Sequence, residues 1–176
     1  MSHAPHTLIL GGQGSGKSHA AHLLAERDVK AKLPVFIHDP HGTVSSWPSG
    51  PLVYHFASVE LLIDALKKSQ RVKAYIEESG ESIGRGRDAV PLQWLSTGSR
   101  KWGHVVTFIA QEAQQLLPVI RKNCTRGLIF RQSETNAKLL ANDFADKGLM
   151  RITELQQYEF LYVERFKPCR VMRFPK

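Results

Sequence analysis

The residues Gly11-Gly12-Gln13-Gly14-Ser15-Gly16-Lys17-Ser18 fit the pattern G-x-x-x-x-G-K-[ST]. Glycines at these positions reach backbone angles closed to residues with a Cβ, so successive N–H groups can turn inward on one phosphate. In such a loop Gly12, Gln13, Gly14, Ser15 and Gly16 cradle the phosphates of a nucleotide, Lys17 reaches the β- and γ-phosphates and the Ser18 hydroxyl binds Mg²⁺. The apolar, β-prone run Thr7–Leu10 precedes the loop and a helical run from His19 to Arg27 follows it. Strand, glycine loop and helix form the context this motif requires, and the helix N-terminus adds its own unsatisfied N–H groups.

Hydrolysis at such a loop needs an acid near Mg²⁺ and a group that activates water. Tyr75-Ile76-Glu77-Glu78 supplies two adjacent acids at the end of an apolar run. Successive residues leaving a strand point to different sides. Glu77 then holds Mg²⁺ through its water shell, and Glu78 faces the γ-phosphate as general base. The competing reading is a pair of solvated acids at a strand end. Gln111 ends the apolar run Val105–Ala110, where a neutral donor and acceptor can sense the γ-phosphate or orient water; it equally suits the start of a helix. Arg100, Arg126 and Arg131 are candidates for an arginine that completes a neighbouring subunit's site, each with a plain surface role as its alternative. Asp39 in Asp39-Pro40-His41-Gly42 either helps to shape the nucleotide site or starts a turn.

The elements that must position these groups alternate short apolar runs with helical stretches. That pattern predicts an α/β fold, a mostly parallel sheet with helices on both faces. Strands are expected at Pro34–Asp39, Leu52–Phe56, Val72–Ile76, Val105–Ala110 and Gly127–Arg131. Ser58 and Ser133 are expected to cap helices, the second ending near Gly148. A helix is expected from Glu112 to Lys122 with Pro118 as a kink or interruption, and another near Val90–Ser99. Ser79–Asp88 reads as a mobile basic loop, and residues 158–174 as a terminal β-hairpin around Arg165–Pro168.

The chain has 176 residues, which predicts one domain spanning 1–176. Its 24 Lys and Arg against 16 Asp and Glu leave a formal charge of +8. For a phosphate-loop protein that suggests a polyanionic partner beyond the nucleotide, nucleic acid above all, although net charge alone does not say where the charge lies. Arg85, Arg87, Arg100 and Lys101 flank one predicted helix and can touch DNA phosphates without reading sequence; two solvated basic loops are the alternative. The hairpin residues Arg165, Lys167, Arg170 and Arg173 are a second basic set with no chemistry implied. Cys124 and Cys169 form no metal-spaced set, and His3 and His6 are too sparse in the N-terminal tail to argue a metal site. No apolar run approaches the ~20 residues of a membrane span, and no signal peptide is evident, so the expected location is intracellular.

Taken in order, these motifs resemble the FtsK–HerA superfamily of DNA-pumping ATPases, and most closely the genome-packaging ATPases of tailless, membrane-containing icosahedral viruses. The resemblance runs from Thr7 to Arg131 and more weakly to the hairpin. It rests on Gly11–Ser18 as Walker A, Phe36–Gly42 as the Asp-Pro-His-Gly turn, Tyr75–Glu78 as Walker B, Arg100–His104 as the Arg-x-x-Gly stretch, Gln111 as the sensor, and Asn123–Arg126 leading to Phe130-Arg131. Two departures stand out. Glu77 replaces the usual Asp, and Glu112 follows Gln111 where cellular relatives often have Arg-Pro.

The resemblance implies a RecA-like P-loop NTPase that forms a hexameric or pentameric ring, with ATP and Mg²⁺ between subunits and double-stranded DNA in the centre. It implies Arg100 as the best trans-acting arginine and Arg131 as the next. The expected function is an ATP-driven translocase that packages viral DNA into a preformed capsid, with capsid or vertex proteins as further partners and a host-cytoplasmic or virion-associated location. The chain leaves no room for an accessory DNA-binding or membrane domain, which suits a minimal viral motor. Two readings compete: a small-molecule kinase, for whose arginine-bearing lid the Gly84–Arg87 loop could be mistaken, and a non-catalytic nucleotide-dependent assembly scaffold.

Overall fold

Apolar residues bounded by a glycine loop make His6–Leu10 the strand β1, the middle of the fold. In this computed structural model, described over residues 5–41, 44–79 and 89–174, α1 (Lys17–Lys30) follows the loop directly. Next come β2 (Val35–His38), β3 (Val53–Phe56), α2 (Val59–Lys67), β4 (Lys73–Ile76) and α3 (Ala89–Ser96). The rest is β5 (Val105–Ala110), α4 (Pro118–Asn123), β6 (Cys124–Phe130), α5 (Glu134–Phe144), β7 (Glu159–Glu164) and β8 (Lys167–Arg173). His3, Gly42 of the Asp-Pro-His-Gly turn and the basic-loop residues Gly84–Arg87, Arg85 and Arg87 among them, lie outside the described residues.

The strands form one eight-stranded sheet in the order β3-β2-β4-β5-β1-β6-β7-β8. All pairs from β3 across to β6 are parallel, and the β7–β8 hairpin adds on antiparallel. The expected α/β architecture with a terminal hairpin is therefore observed. β5 separates β1 from β4, so the residues leaving β5 emerge between the glycine loop and the acid pair.

Side chains alternate across the sheet. Leu8 and Leu10 join Val106, Phe108 and Ile129 in a core covered by α2, α4 and α5. Ile9 joins Ile37, Tyr75 and Ile109 on the opposite face, under Ala20, Ala21 and Ala25 of α1 and Trp47. Arg121 of α4 is buried, and its Nε donates to Asp143 Oδ2 of α5 at 2.7 Å.

Three local expectations are corrected. The expected Glu112–Lys122 helix is not continuous: of the two readings of Pro118 the interruption is observed, because the proline occupies the first turn of α4, where its missing N–H has no partner to lose. The stretch before it is a short 3-10 turn, Ala113–Gln115, held by reciprocal capping between Glu112 and Gln115. α5 stops at Phe144 rather than near Gly148: Ala145 takes a left-handed φ of 56°, and Asp146 N–H returns to the Ala141 carbonyl at 3.0 Å. His6 belongs to β1 rather than to a tail, and it is fully buried. Its Nδ1 accepts from Val106 N–H at 3.0 Å, which leaves Nε2 as the protonated nitrogen facing Ser99 Oγ at 3.4 Å.

Candidate active site

The glycine loop closes tightly at the C-terminal end of β1. Gly14 and Gly16 take φ values of 71° and 102°, which a side chain would strain. A Cβ on Gly11 would stand 2.4 Å from Ser15 Oγ. Gly11 N–H also donates to the Ala110 carbonyl at 3.2 Å, tying the loop to the end of β5. Ser15 Oγ is buried and has no hydrogen-bond partner among the described residues. A buried orphan hydroxyl in a loop that only glycines can form fits an oxyanion ligand.

The acids lie where β4 ends. Glu77 and Glu78 are both buried. Glu77 N–H donates to the His38 carbonyl at 2.9 Å, and Ser79 Oγ accepts from Ile109 N–H at 3.0 Å while donating to the Ile76 carbonyl at 2.6 Å. These bonds over-determine the turn, and Glu78 is held in it at a φ of 44°, a strained angle for a residue with a Cβ. The strain serves geometry: Glu78 Oε1 stands 3.7 Å from Lys17 Nζ, and both side chains are nearly buried. Burial pushes the Glu77 carboxyl above its ordinary pKa; a hydrogen bond with Ser18 and the Lys17 charge oppose that shift, and Asp39 and Glu78 reinforce it. A hydroxyl and a carboxylate side by side are hard oxygen donors of the kind Mg²⁺ prefers.

Gln111 arrives between the two halves of the site. Its Nε2 lies 3.4 and 3.5 Å from the Glu78 carboxylate oxygens, at the long end of hydrogen bonding. Its backbone is fixed on both sides: its N–H donates to Gln115 Oε1 at 3.2 Å and its carbonyl accepts from Gln132 Nε2 at 2.8 Å. The sequence therefore brings Lys17, Ser18, Glu77, Glu78 and Gln111 together.

The arginines do not converge with them equally. Arg131, just past β6, is exposed and lines a cavity of about 670 Å³ with Gly12, Gln111 and Gln132. Arg100 sits in a 3-10 turn, Ser99–Trp102, at the opposite end of β5, where its guanidinium donates to the Asn123 carbonyl. Residues in the strand rise about 3.3 Å each, so Arg100 is roughly 20 Å from the loop of its own chain. Lys101 is exposed in the same turn. Arg126 pairs with Glu164 at 3.7 Å. Asp39 is tied into a turn by His41 N–H at 3.0 Å and also accepts from Trp47 Nε1 at 3.0 Å, so it joins the acid end of the sheet to the α1 face.

Residues 3–43 match the family model described as the central domain of the helicase HerA. Over the whole chain the fold superposes on the genome-packaging NTPase B204 of Sulfolobus turreted icosahedral virus 2 in complex with AMPPCP, at a TM-score of 0.82 and 15% identity, with 100% of each chain covered. The fold is that of a P-loop NTPase. Two further structures of this NTPase fold agree. The DNA-packaging ATPase B204 of Sulfolobus turreted icosahedral virus gives 0.80 at 16% identity over 98% of both chains. VirB4 of Thermoanaerobacter pseudethanolicus gives 0.75 at 11% identity over 97% of this chain and 89% of the other. No curated protein matches the sequence significantly.

Gln132 went unnoticed in the sequence, although it touches the site through Gln111. Its Oε1 is buried beside the same cavity with no hydrogen-bond partner among the described residues. The available signal was its position, one residue beyond Arg131 and two beyond a central parallel strand, because ligands gather at the carboxyl ends of such strands.

Proposed function

We propose that this chain is an ATP-driven translocase of double-stranded DNA, working as a hexameric or pentameric ring that packages a viral genome into a preformed capsid. The observation that carries the catalytic part is the convergence of Lys17, Glu78 and Gln111 on one side of the glycine loop, 3.7 Å and 3.4 Å apart at the nearest atoms. The DNA part is supported by the HerA-type segment, by the likeness to the genome-packaging NTPases, and by the charge of +8.

In this reading the loop N–H groups of Gly12, Gln13, Gly14, Ser15 and Gly16, with Lys17, hold the ATP phosphates. Ser18 and Glu77 are the residues that would hold Mg²⁺, which when bound neutralises charge on the phosphate oxygens. Glu78 removes a proton from water as the water oxygen bonds to the γ-phosphorus and the bond to the β-phosphate oxygen of ADP breaks. Gln111 holds the Glu78 carboxylate and senses the γ-phosphate. Arg100, at the far end of the sheet from its own loop, completes the site of a neighbouring subunit, with Arg131 the second candidate. Arg85, Arg87 and Lys101 hold the DNA backbone without reading its sequence.

Displacement of a labelled third strand from a triplex on long duplex DNA tests this directly. Displacement should require ATP and vanish in Glu78→Gln. A protein that hydrolyses ATP and never displaces the strand is not a translocase.

A further inference from the structure

The Gln111 peptide is gripped on both sides by glutamine side chains. Gln115 Oε1 accepts from its N–H at 3.2 Å, and the same oxygen accepts from Glu112 N–H at 3.0 Å. That grip is local, part of the cap on the turn Ala113–Gln115. The other grip comes from a different strand. Gln132, just beyond β6, donates from Nε2 to the Gln111 carbonyl at 2.8 Å. β1 runs between β5 and β6, so this contact joins the exits of strands two spacings apart, about 10 Å. The glycine loop leaves the sheet within that span. Gly11 N–H donates to the carbonyl of Ala110, the residue before Gln111, and Gly12, Gln111 and Gln132 line one cavity. Gln132 is itself anchored, because its N–H donates to the Ile152 carbonyl at 3.3 Å.

The chemistry of the contact fixes the amide's orientation. A carbonyl takes only a donor, so Nε2 faces Gln111 and Oε1 faces away. Oε1 is buried with no hydrogen-bond partner among the described residues, on a residue only 8% exposed. A buried acceptor without a donor destabilises a fold. Methionine, of similar length, would fill the same volume without that loss. Packing alone therefore does not account for an amide here, whereas the bond to Gln111 does. That bond matters because the next contact is tenuous. Gln111 Nε2 lies 3.4 and 3.5 Å from the Glu78 carboxylate oxygens, so a small drift of the Gln111 backbone breaks it.

We propose that Gln132 is a positioning residue for hydrolysis: by holding the Gln111 carbonyl across the exit of β1, it fixes the Gln111 amide against Glu78. The inference rests on the reading of Glu78 as the group that activates water and of Gln111 as its partner. Gln132 touches neither nucleotide nor water in this role. It acts through Gln111 and leaves phosphate binding to the glycine loop.

Steady-state ATP hydrolysis by the full chain, with ATP affinity by calorimetry and a thermal melt, tests this in Gln132→Met, Gln111→Ala and the double variant. Gln132→Met should lower kcat about tenfold, as displacement of a catalytic group does. Its KM, ATP affinity and Tm should match wild type. In the Gln111→Ala background Gln132→Met should cost nothing further, because no side chain is left to position. Wild-type kcat in Gln132→Met would overturn the proposal. So would a joint fall in kcat, ATP affinity and Tm, which would make Gln132 a structural prop. A full additional loss in the double variant would show that Gln132 acts independently of Gln111, and would overturn it too. Glu78→Gln separates the two claims: if it hydrolysed ATP like wild type, or if wild type showed no turnover, the hydrolysis reading itself would fall and the positioning role with it.

Discussion

The Glu78 carboxylate lies 3.7 Å from the Lys17 ammonium, although the two residues sit on different strands' exits and are separated by the whole of β5. The pairing puts the expected water-activating acid against the expected phosphate-binding cation. It separates binding from turnover. Glu78→Gln keeps the shape and the Gln111 contact but cannot take a proton. It should hydrolyse ATP about 10²–10⁴-fold more slowly while binding ATP as well as wild type. Lys17→Ala should lose binding itself. Equilibrium titration alongside single-turnover hydrolysis checks both; equal loss of binding in the two variants would contradict the assignment.

Arg100 is held by the Asn123 carbonyl at the end of the sheet remote from its own loop. A catalytic role therefore requires a neighbouring subunit. Arg100→Ala alone and Glu78→Gln alone should both be inactive. Mixed subunits should recover part of the activity, because an Arg100→Ala chain keeps its own Glu78 and receives an intact arginine from its neighbour. Absence of recovery at any mixing ratio would count against a shared site.

The buried Arg121–Asp143 pair clamps α4 to α5 beneath the Gln111 loop, with Arg121 Nη1 also donating to the Ala113 carbonyl at 3.3 Å. Removing one partner strands a buried charge. Asp143→Ala should cost about 3 kcal/mol, roughly 10 °C in Tm for a domain of this size. The double change Arg121→Leu with Asp143→Leu should recover much of that loss. A thermal melt of the three proteins gives the answer.

His6 supplies a pH signature. Burial, then the charges of Arg100 and His104, lower its pKa from 6.5 to about 3. The unfolded chain takes up this proton near 6.5 and the folded chain only near 3. Between those values the unfolded state holds more protons, so the His6 contribution is complete above pH 6.5 and is lost as pH falls toward 3. One such proton changes stability by about 1.4 kcal/mol per pH unit. His6→Asn offers an Oδ1 where Nδ1 accepted; it should be less stable at pH 7 and should have a shallower slope between pH 6 and 4. Urea midpoints across that range measure it, and parallel slopes would refute it.

Much of this was legible in the residues. The glycine loop has a fixed spacing because phosphate binding needs left-handed angles at Gly14 and Gly16, and the acid pair and Gln111 follow apolar runs that only buried strands explain. Ser58 and Ser133 were readable as caps because their hydroxyls accept from Leu61 and Asn136 N–H, three residues on. What one sequence could not express was strand order. That β5 lies between β1 and β4, and so brings Gln111 to Glu78, depends on contacts distant along the chain. The same holds for His6, whose burial is set by Val106 a hundred residues away, and for Tyr158, which reaches Gly16 only because the hairpin folds back beside β6. Whether Pro118 kinks or interrupts a helix is not legible locally, because a proline suits the first turn of one helix as readily as the kink of a longer one.

The most direct test is steady-state ATP hydrolysis with and without long double-stranded DNA, at low and moderate salt, with Glu78→Gln as the blank. The expected result is stimulation by DNA that weakens as salt rises, because phosphate contacts release counterions, and that is absent in Glu78→Gln. Turnover indifferent to DNA at every salt concentration would contradict a DNA-pumping ATPase.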